Sequence, residues 1–523
     1  MTGQDDIAVV GGGSIATTFL AQFVARLERA GGPPRPVRVR VFEPAAEPGR
    51  GEPYADDLST NLLNIPAGRM SAYAADRGHF LRWLSEEGAG RPARHGVSDP
   101  GPDDFLPRPL FGEYLAWVHA SAVARGAALG IEIERVPARV DALDLAADGT
   151  VVLEAGGRRH AARRAVLCNG NLPSVAFAHL QGRPGYFNDP YPVRRLVQSI
   201  DPDAAVGVLG TSLSAIDAIV SLKEGGHRGP ILAVSRNGRL PAVRSIVPSR
   251  VAPQPFGLDE ALGLAAAHGG NLTLRHVYDW LCARVTAAGG TLDPADMVGR
   301  TDGDALALLD DEIRRASTDS RLWQAVAASL NEVIEHVWRL LPEGQRRAFH
   351  ADWRSLWMAR RATFPMANAR KLKGYLESGQ LRVAGGFRSC TAGEGAGFAL
   401  RLEDAGRASP ESCRVDFVVN ATSFSLDVAR SADPLVRSLL ARGLASPDPF
   451  GGFLLDHDTG CLLRPDGVRV ESVSLLGSLA AGTYFWTSSL DVNARLADGQ
   501  ARRLAGELAP GREVPVRAEA ARK

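Results

Sequence analysis

The sequence predicts an α/β fold with two Rossmann-like dinucleotide-binding domains and a helical insertion. Three observations lead to this prediction. A strand, a glycine-rich turn, a helix and a second strand follow one another within the first 43 residues. The same order begins again near residue 205. Residues 257–361 then break this alternation, because their apolar side chains recur at helical spacing.

The first of these units is the clearest segment of the chain. Residues 7–10 are an apolar run of strand length, and residues 11–16 read Gly-Gly-Gly-Ser-Ile-Ala. Residues 18–27 carry apolar side chains at helical spacing, and residues 37–42 form a strand that ends at Glu43. This order is typical of a βαβ unit that binds a dinucleotide. The alternative is an ordinary glycine turn in an α/β protein.

The residue types of the first turn each have a physical reason. Gly11 permits the tight turn, Gly13 lets the backbone approach a pyrophosphate, and Ala16 keeps the helix close to the sheet. Ser14 lies at the helix N-terminus, where free N–H groups and the helix dipole attract phosphates. The carboxylate of Glu43 is placed to bind ribose hydroxyl groups.

The second unit and two further strands complete the pattern. Residues 205–209 and 231–234 form the strands of the second unit, and Gly210 opens its turn. A buried strand that ends at Gly170 precedes this unit, and residues 415–422 repeat such a strand later in the chain. We expect these two strands to close the nucleotide-binding sheets.

The second turn departs from the ideal fingerprint. Ser212 stands where a second glycine is expected, although its hydroxyl and that of Ser214 can donate to a pyrophosphate. Arg236 follows the second strand in place of an acid, which suits a 2′-phosphate and therefore predicts NADPH rather than NADH. The alternative for Arg236 is a solvated arginine at a strand end.

The C-terminal part contains one more strand, loop and helix. Residues 473–477 form a strand that ends at Gly477, and residues 490–504 are helical, with Asp491 near the start. In a flavoprotein, this arrangement brings backbone N–H groups beneath the flavin pyrimidine ring. Two dinucleotide units about 200 residues apart indicate a flavoprotein that binds two nucleotides.

These patterns divide the chain into five segments. The insertion is expected to contain three to five helices, and most of its tryptophans (Trp280, Trp323, Trp338, Trp353 and Trp357) are expected to lie in its core. The segments are a first FAD-domain part (1–200), a first NAD(P)-domain part (201–256), the insertion (257–364), a second NAD(P)-domain part (365–425) and a second FAD-domain part (426–523).

Composition excludes several classes of protein. With 60 basic and 59 acidic residues, the net charge gives no reason to expect a nucleic acid or a membrane as partner. Five cysteines without a CxxC pair argue against a disulfide framework and a zinc site. Glu332 and His336 could share a helix face, but no third ligand accompanies them, so no metal is predicted. No targeting or membrane-spanning segment is visible, which predicts a cytoplasmic protein.

Several motifs resemble one narrower family. They are residues 49–54 (GRGEPY), 61–67 (NLLNIPA), 80–84 (FLRWL) and 106–115 (LPRPLFGEYL). In these motifs the chain resembles the bacterial FAD/NAD(P)-binding oxidoreductases, two-dinucleotide-domain flavoprotein monooxygenases. That family includes amino-acid N-hydroxylases, among them enzymes that oxidise the amine of aspartate to a nitro group, forming nitrosuccinate.

The resemblance implies cofactors, an activity and site residues. It implies FAD at the first unit, with Met70 among its contacts, and NADPH at the second. The implied reaction is N-hydroxylation of an amine or amino acid by O₂ through a flavin C4a-peroxide. Asn64 would lie near the flavin ring as the catalytic candidate, although a turn asparagine is an equal alternative.

Arginines are the candidates for binding an amino-acid substrate. A substrate carboxylate favours guanidinium groups, and Arg69, Arg108 and Arg361, with Arg360 beside it, are candidates by position. The alternative for each, favoured by the 56 arginines of the chain, is a solvated surface residue. The sequence leaves the substrate and the oligomeric state, including a homo-oligomer, open.

Two other functions stay open at this point. A flavin-dependent dehydrogenase or oxidase on the same fold is supported mainly by Ser212, which departs from the fingerprint of the second unit. A non-enzymatic nucleotide-binding scaffold would use the helical insertion as its interaction surface. An oxidase would reduce its flavin with substrate alone, whereas a scaffold would never retain flavin.

Overall fold

The computed structural model describes residues 4–249, 254–292, 304–393, 395–403 and 410–509. The chain forms two compact units. Unit 1 consists of Met1–Ser59, Ile65–Leu172 and Leu426–Lys523, and unit 2 of Thr60–Asn64 and Pro173–Ser425. Among the described residues, no helix is long and apolar enough to cross a membrane.

The strands of the described residues fall into three sheets. They are β1 (Asp5–Val10), β2 (Val37–Phe42), β3 (Ile131–Val136), β4 (Val140–Leu145), β5 (Val151–Ala155), β6 (Arg158–Leu167), β7 (Tyr186–Phe187), β8 (Val206–Leu209), β9 (Ile231–Val234), β10 (Leu381–Ala384), β11 (Phe387–Ala392), β12 (Phe398–Leu402), β13 (Glu411–Val415), β14 (Phe417–Asn420), β15 (Cys461–Leu463) and β16 (Arg469–Leu475).

The α-helices lie between and after these strands. They are Ser14–Arg29, His79–Ser85, Arg91–Arg94, Arg108–Ala128, Val193–Ser199, Leu213–Glu224, Leu258–Ala266, Leu274–Ala287, Ala305–Thr318, Leu322–Ser329, Ile334–Leu340, Glu343–Ala348, Arg354–Arg361, Met366–Glu377, Pro434–Ala441, Ala481–Tyr484 and Leu490–Leu508.

Unit 1 is built on an eight-stranded sheet. Its order is β15-β16-β6-β1-β2-β3, and β5 pairs with β6 and β4. The strands β16, β6, β1, β2 and β3 run parallel, whereas β4, β5 and β15 pair antiparallel. The parallel strands place their carboxyl ends at one edge, which is where α/β folds bind ligands.

Two helices cover one face of this sheet. Ser14–Arg29 packs against Leu490–Leu508, and the apolar side chains that predicted the first helix, including Phe19 and Phe23, are fully buried. Arg26 Nε donates to Asp498 Oδ1 at 2.8 Å across the helix pair. The predicted helices and strands of the first and C-terminal segments are therefore confirmed.

Unit 2 is built on a five-stranded parallel sheet. Its order is β10-β9-β8-β14-β7, and the helix Leu213–Glu224 buries Ile216 and Ile219 in the core beside this sheet. The antiparallel sheet β11-β12-β13 contributes Leu400 to a second core with Leu209. The second βαβ unit is thus present as predicted.

Residues 173–200 group with unit 2, whereas the predicted division placed them in the FAD domain. Two contacts within unit 2 explain the grouping. Tyr186–Phe187 forms β7 and pairs with β14, and Leu196 is buried in the core that contains Val206. A strand of two residues is too short to show a periodic pattern, so the sequence did not indicate that unit 2 begins at Pro173.

The insertion is helical, but its details differ from the expectation. Between residues 258 and 361, the described residues contain seven α-helices rather than three to five, because several are too short to stand out by periodicity. Trp323 and Trp338 are buried at 4% and 2% exposure, as predicted. Trp353 is 52% exposed, and Trp280 and Trp357 are half-buried, so the expectation that most of these tryptophans lie in the core was wrong. Trp353 lies in an irregular π-helical turn, Phe349–Trp353.

One half-buried carboxylate, Glu312, connects the helical insertion to residue 243, which follows the strand β9. Glu312 Oε2 accepts from Arg321 Nη1 at 2.6 Å, and Oε1 accepts from Arg360 Nη1 at 2.9 Å. Val243 N donates to Glu312 at 3.2 Å, and Gln324 Nε2 donates to Val243 O at 2.8 Å. Burial raises the pKa of Glu312, but the hydrogen bonds and charges of both arginines outweigh it and leave the pKa below its ordinary value.

Replacing this carboxylate should destabilise unit 2. We expect Glu312→Gln to lower the free energy of unfolding by about 3 kcal/mol, because it leaves two buried guanidinium groups without their shared anion. Because the folded pKa of Glu312 is depressed, its stabilisation is present above the unfolded pKa of about 4.3 and is lost as pH falls through the folded value. Urea unfolding followed by tryptophan fluorescence across pH measures both effects.

The matched control is Glu343→Gln. Glu343 pairs with Arg347 on one exposed helix face, so its loss should change the free energy of unfolding by less than about 1 kcal/mol. Equal effects of the two substitutions would contradict the role assigned to Glu312.

Candidate functional site

The first glycine turn follows the end of β1. Gly11 has a φ of +94°, and its N–H donates to Phe42 O at 2.9 Å. A Cβ at Gly11 would lie 2.3 Å from Cys168 O. Only glycine fits this position, because any side chain would collide with the backbone that follows β6.

The second glycine turn repeats this geometry after β8. Gly210 has a φ of +122°, and its N–H donates to Val234 O at 2.7 Å. A Cβ at Gly210 would lie 2.6 Å from Ala421 O, in the segment after β14. The helix N-caps that follow, Gly13 and Ser212, are both extended, with ψ of −162° and −163°. The two turns therefore share one backbone conformation, although they lie in separate units.

A glycine loop packs on the start of the first helix. A Cβ at Gly13 would lie 3.1 Å from Gly51 Cα, and Gly51 itself has a φ of +71°. Gly49 N donates to Gly12 O at 2.7 Å, and Thr17 Oγ1 donates to Gly49 O at 3.2 Å. Because Gly13 has no side chain, residues 49–51 can pack against the start of the helix. These residues are part of the motif 49–54.

Glu43 braces the first turn. Its Oε2 accepts from Gly12 N at 2.8 Å and its Oε1 accepts from Ala45 N at 2.8 Å. Each carboxylate oxygen can accept a further hydrogen bond. Glu43 thus lies directly after β2, at the position predicted for an acid that binds ribose. Its hydrogen bonds also hold the glycine turn in place.

Two more predicted glycines lie near the first helix. Gly477 has a φ of +99°, and a Cβ there would be 3.8 Å from a side-chain carbon of Ile15, in the first turn of that helix. Gly170 has a φ of +78°, and its carbonyl accepts from Ser478 Oγ at 3.0 Å. Ser14 and Ala16 lie in the buried first turn itself, whereas buried Met70 follows a short 3-10 helix elsewhere in unit 1.

Asp491 lies in the first turn of the helix Leu490–Leu508, as predicted. Its Oδ1 accepts from Val492 N at 3.0 Å. Burial raises the pKa of Tyr54, Arg108 lowers it, and Asp491 raises it again, so that it stays above its ordinary value. Arg108 and Asp491 are therefore electrostatic neighbours of the same phenol.

The second turn is fixed by Thr211. Its Oγ1 donates to Arg239 O at 2.6 Å and lies within hydrogen-bonding distance of Ser235 Oγ, 3.0 Å away, which ties the turn to the segment after β9. The side chain of Ser212 is exposed and makes no capping hydrogen bond to its helix. Ser214 is the second residue of the helix Leu213–Glu224 and is half-buried.

Arg236 follows β9 and is exposed, which both a reader of a 2′-phosphate and a solvated strand-end arginine would be. It is accompanied by an arginine that the sequence did not indicate. Loss of hydration and the neighbouring charge of Arg236 both lower the pKa of Arg354. Arg354 is therefore an electrostatic neighbour of Arg236, and an anionic ligand close to both would offset their mutual repulsion.

The other predicted site residues are distributed over both units. Asn64 is half-buried in the short segment Thr60–Asn64, which groups with unit 2. Arg69 is exposed, Arg108 is half-buried at the start of Arg108–Ala128, and both belong to unit 1. Arg361 belongs to unit 2.

Arg361 lines a small pocket together with residues that the sequence reading missed. The lining residues are Arg244, Trp323, Gln324, Ala327, Arg360, Arg361 and Thr363. Backbone pairing explains the meeting of distant segments, since Phe364 N donates to Ala242 O at 3.1 Å and Arg244 N donates to Phe364 O at 2.9 Å. No local pattern in the sequence signals such a long-range pairing.

Comparisons with known proteins agree with this geometry. Residues 8–172 match the family model of FAD-NAD(P)-binding proteins. An ornithine N-hydroxylase from Kutzneria sp. 744, solved with reduced FAD, NADP⁺ and L-ornithine, aligns over 96% of this chain and 99% of its own, with a TM-score of 0.56 and 15% identity. The chain has a two-dinucleotide-domain flavoprotein fold. The predicted fold class is confirmed.

A second solved structure supports the same fold. The ornithine hydroxylase PvdA from Pseudomonas aeruginosa aligns over 97% of this chain and 100% of its own, with a TM-score of 0.59 and 13% identity. Identities this low establish the fold alone.

Two curated relatives match by sequence. Nitrosuccinic acid synthase from Aspergillus oryzae is 30% identical over 249 residues, which cover 44% of this chain and 37% of the fungal protein. The uncharacterised protein YdhS from Escherichia coli is 22% identical over 405 residues, covering 66% of this chain and 72% of that protein. The chain therefore spans little more than a third of the fungal relative.

Proposed function

We propose that the protein is an FAD- and NADPH-dependent monooxygenase that N-oxygenates an amino acid. The observation that carries the proposal is the duplicated glycine turn, at Gly11 in unit 1 and Gly210 in unit 2. A fold with two such turns binds an electron donor and an acceptor. The similarity to a nitrosuccinic acid synthase supports an amino acid as substrate.

The residues at both turns fit a dinucleotide pyrophosphate. Neither Ser14–Arg29 nor Leu213–Glu224 has an acidic residue in its first turn, so the positive end of each helix dipole is not compensated from within the helix. In unit 1, Glu43 lies at the strand end where a ribose hydroxyl binds. In unit 2, Arg236 and Arg354 supply the cationic groups that a 2′-phosphate requires.

These contacts suggest a separate role for each group of residues in the proposed reaction. FAD, when bound, would supply the redox chemistry that couples NADPH oxidation to N-oxygenation by O₂, with the second oxygen atom released as water. The turns at Gly13 and Ser212 would hold the two pyrophosphates, and Arg236 would select the phosphorylated nucleotide. We predict that Asn64 lies near the reacting atoms. We also predict that Arg69, Arg108 and Arg361 bind the substrate. A cytoplasmic location and the oligomeric state also stay predictions.

The main alternative is a flavin-dependent oxidase or dehydrogenase that does not use NADPH. Its support in the sequence was Ser212, which stands where the second glycine of the fingerprint is expected. The backbone of Ser212 matches that of Gly13, and its side chain is exposed rather than turned into the fold. This observation favours the NADPH-dependent enzyme.

Blocking the first turn should abolish flavin binding. In Gly13→Asp, the new Cβ lies 3.1 Å from Gly51 and a carboxylate occupies the helix N-terminus, where it repels a pyrophosphate. We expect this variant to purify folded by circular dichroism but without bound FAD. The matched control is Gly499→Asp, also in unit 1, where a Cβ meets no atom within 4 Å. Full FAD content in Gly13→Asp would mean that the first turn does not hold the flavin.

Removing the strand-end arginine should change nucleotide preference. We expect NADPH to bleach the flavin absorbance of the wild-type protein anaerobically and faster than NADH. In Arg236→Ala, half-saturation by NADPH should rise about tenfold to a hundredfold, because a charged contact to phosphate is lost, whereas the response to NADH should stay unchanged.

The control for this measurement is Arg228→Ala. Arg228 is an exposed arginine of unit 2 that pairs with Asp203. Because some enzymes of this type are reduced only with substrate bound, the measurement is repeated with a pool of amino acids. A variant at Arg236 that loses NADPH and NADH response equally would contradict the assigned selectivity.

A further inference from the structure

Two helices of unit 1 bring oxidisable aromatic rings together. His79 and Trp83 lie four residues apart on one helix, and Tyr114 and Trp117 lie three residues apart on another. These spacings place each pair on one face of its helix. The centre of the Trp83 ring lies 5.5 Å from that of Tyr114 and 6.3 Å from that of Trp117. Tyrosine and tryptophan are the side chains that lose a single electron most readily, so this contact joins redox chemistry as well as apolar surface.

The hydrogen bonds of the Tyr114 phenol direct its proton to one partner. Tyr114 is fully buried, and its oxygen accepts from Ala72 N at 3.2 Å. Burial raises the pKa of Tyr114, against the opposing effect of hydrogen bonds from Ala72 and the side chain of Ser71. These two donors occupy the acceptor positions of the phenol oxygen, so its own proton is left for the remaining partner. That partner is His79 Nδ1, 2.8 Å away.

His79 can take up this proton. Loss of hydration lowers the pKa of His79 below its ordinary value of about 6.5, against the opposing charge of Asp76. The imidazole is therefore neutral at pH 7, and its Nδ1 is a base in direct contact with the phenol. Because a phenol that has lost an electron is a very strong acid, a base at this position makes oxidation of Tyr114 much easier.

The two indoles connect Tyr114 to the surface of unit 1. Trp83 is 2% exposed, whereas Trp117 is half-buried and therefore in contact with solvent. The Nε1 of Trp83 is buried and has no hydrogen-bond partner among the described residues. An oxidised Trp83 could not pass on its proton and would keep a buried positive charge, which is costly. An electron vacancy that reaches Trp83 thus moves on to Tyr114, where a proton acceptor is present.

The aromatic cluster also extends to the first glycine turn. The ring of Phe111 lies 5.2 Å from that of Tyr114 and 5.0 Å from that of Tyr54. Tyr54 follows Gly51 by three residues, and the Cα of Gly51 would lie 3.1 Å from a Cβ at Gly13. An enzyme that carries out oxygen chemistry in unit 1 exposes this part of the chain to oxygen-derived radicals.

We infer that Tyr114 is a redox-active tyrosine, with His79 as its proton acceptor and Trp83 and Trp117 as its electron path to the surface. When an oxygen-derived radical takes one electron from Trp117, an electron from Tyr114 passes through Trp83 and fills the vacancy. The phenol proton moves to His79 Nδ1. The oxidant thus gains one electron, Tyr114 becomes a neutral phenoxyl radical and His79 an imidazolium. Only the source of the radicals rests on the proposed function.

Pulse radiolysis of the full-length, FAD-loaded protein tests this transfer without NADPH or substrate. Azide radicals remove one electron from tryptophan side chains, and the absorbance of indole and phenoxyl radicals is then followed. We expect the indole signal to convert into the phenoxyl signal at a rate that does not depend on protein concentration. The conversion should be slower in D₂O, because a proton moves with the electron.

Electron paramagnetic resonance identifies the product in the wild-type protein. A sample frozen after the conversion should give a tyrosyl spectrum, and its lines should narrow when the protein contains ring-deuterated tyrosine. A spectrum that does not change on deuteration would mean that the vacancy does not reach a tyrosine, which would overturn the inference without any substitution.

Three variants and a control locate the path. Tyr114→Phe keeps the ring and should lose the rapid conversion. Trp83→Phe keeps an aromatic ring that does not carry the vacancy, and His79→Gln keeps a hydrogen-bond acceptor that cannot take the proton. Each should slow the conversion by at least about tenfold. The control is Tyr375→Phe, which removes a hydroxyl that donates to Glu224 Oε1 at 3.2 Å in unit 2 and should leave the conversion unchanged.

The outcomes separate this inference from the proposed function. A rapid conversion that survives in Tyr114→Phe would overturn the inference, and an unchanged rate in His79→Gln would overturn the role of His79. If Tyr114→Phe does not fold by circular dichroism, Trp83→Phe and the wild-type spectra decide. Conversely, the expected radical transfer in a protein that NADPH never reduces would overturn the proposed function and leave the redox-active tyrosine standing.

Discussion

The positive φ angle of one glycine at the end of each central strand is the constraint on which both units depend. At Gly11 and Gly210 the chain must turn directly from strand to helix while the backbone of a third segment passes within 2.3 and 2.6 Å of where a Cβ would stand. Glycine therefore permits two things at once. It packs a closing strand against the turn, and it leaves the helix N-terminus directed at the edge of the sheet where phosphates bind.

The chemistry of the two units diverges after this shared turn. In unit 1, Glu43 ends the second strand and holds the turn through backbone N–H groups. In unit 2, Arg236 stands at the equivalent end and is joined by Arg354. A carboxylate favours ribose hydroxyl groups and guanidinium groups favour a phosphate, so the two strand ends differ in the chemistry they offer to a nucleotide.

Unit 2 also carries a cluster of arginines around one half-buried carboxylate. Glu312 satisfies Arg321 and Arg360 from inside the fold, and its depressed pKa reflects both contacts. Arg361 and Arg244 are brought to the same place by the pairing of residues 242–244 with Phe364. Two arginines of the insertion, Arg321 and Arg360, are thus held by one half-buried carboxylate.

The sequence predicted what is determined locally. The turns at Gly11 and Gly210, the acid at Glu43 and the helix over residues 18–27 each follow from about forty consecutive residues. The pocket could not be predicted, because Arg244 meets Thr363 only through pairing between distant segments. Trp353 was placed in the core by residue type, but an irregular turn leaves it exposed. Short helices and the two-residue strand β7 left no periodic signal.

The most direct test of the central claim is the fate of isotopically labelled O₂. The FAD-loaded protein is incubated with NADPH, labelled O₂ and L-aspartate, and products are identified by mass spectrometry while NADPH consumption is followed. The account predicts an N-oxygenated amino acid whose new oxygen atoms come from O₂, formed only with NADPH. A product formed without NADPH, with O₂ reduced only to hydrogen peroxide, would contradict it and identify an oxidase.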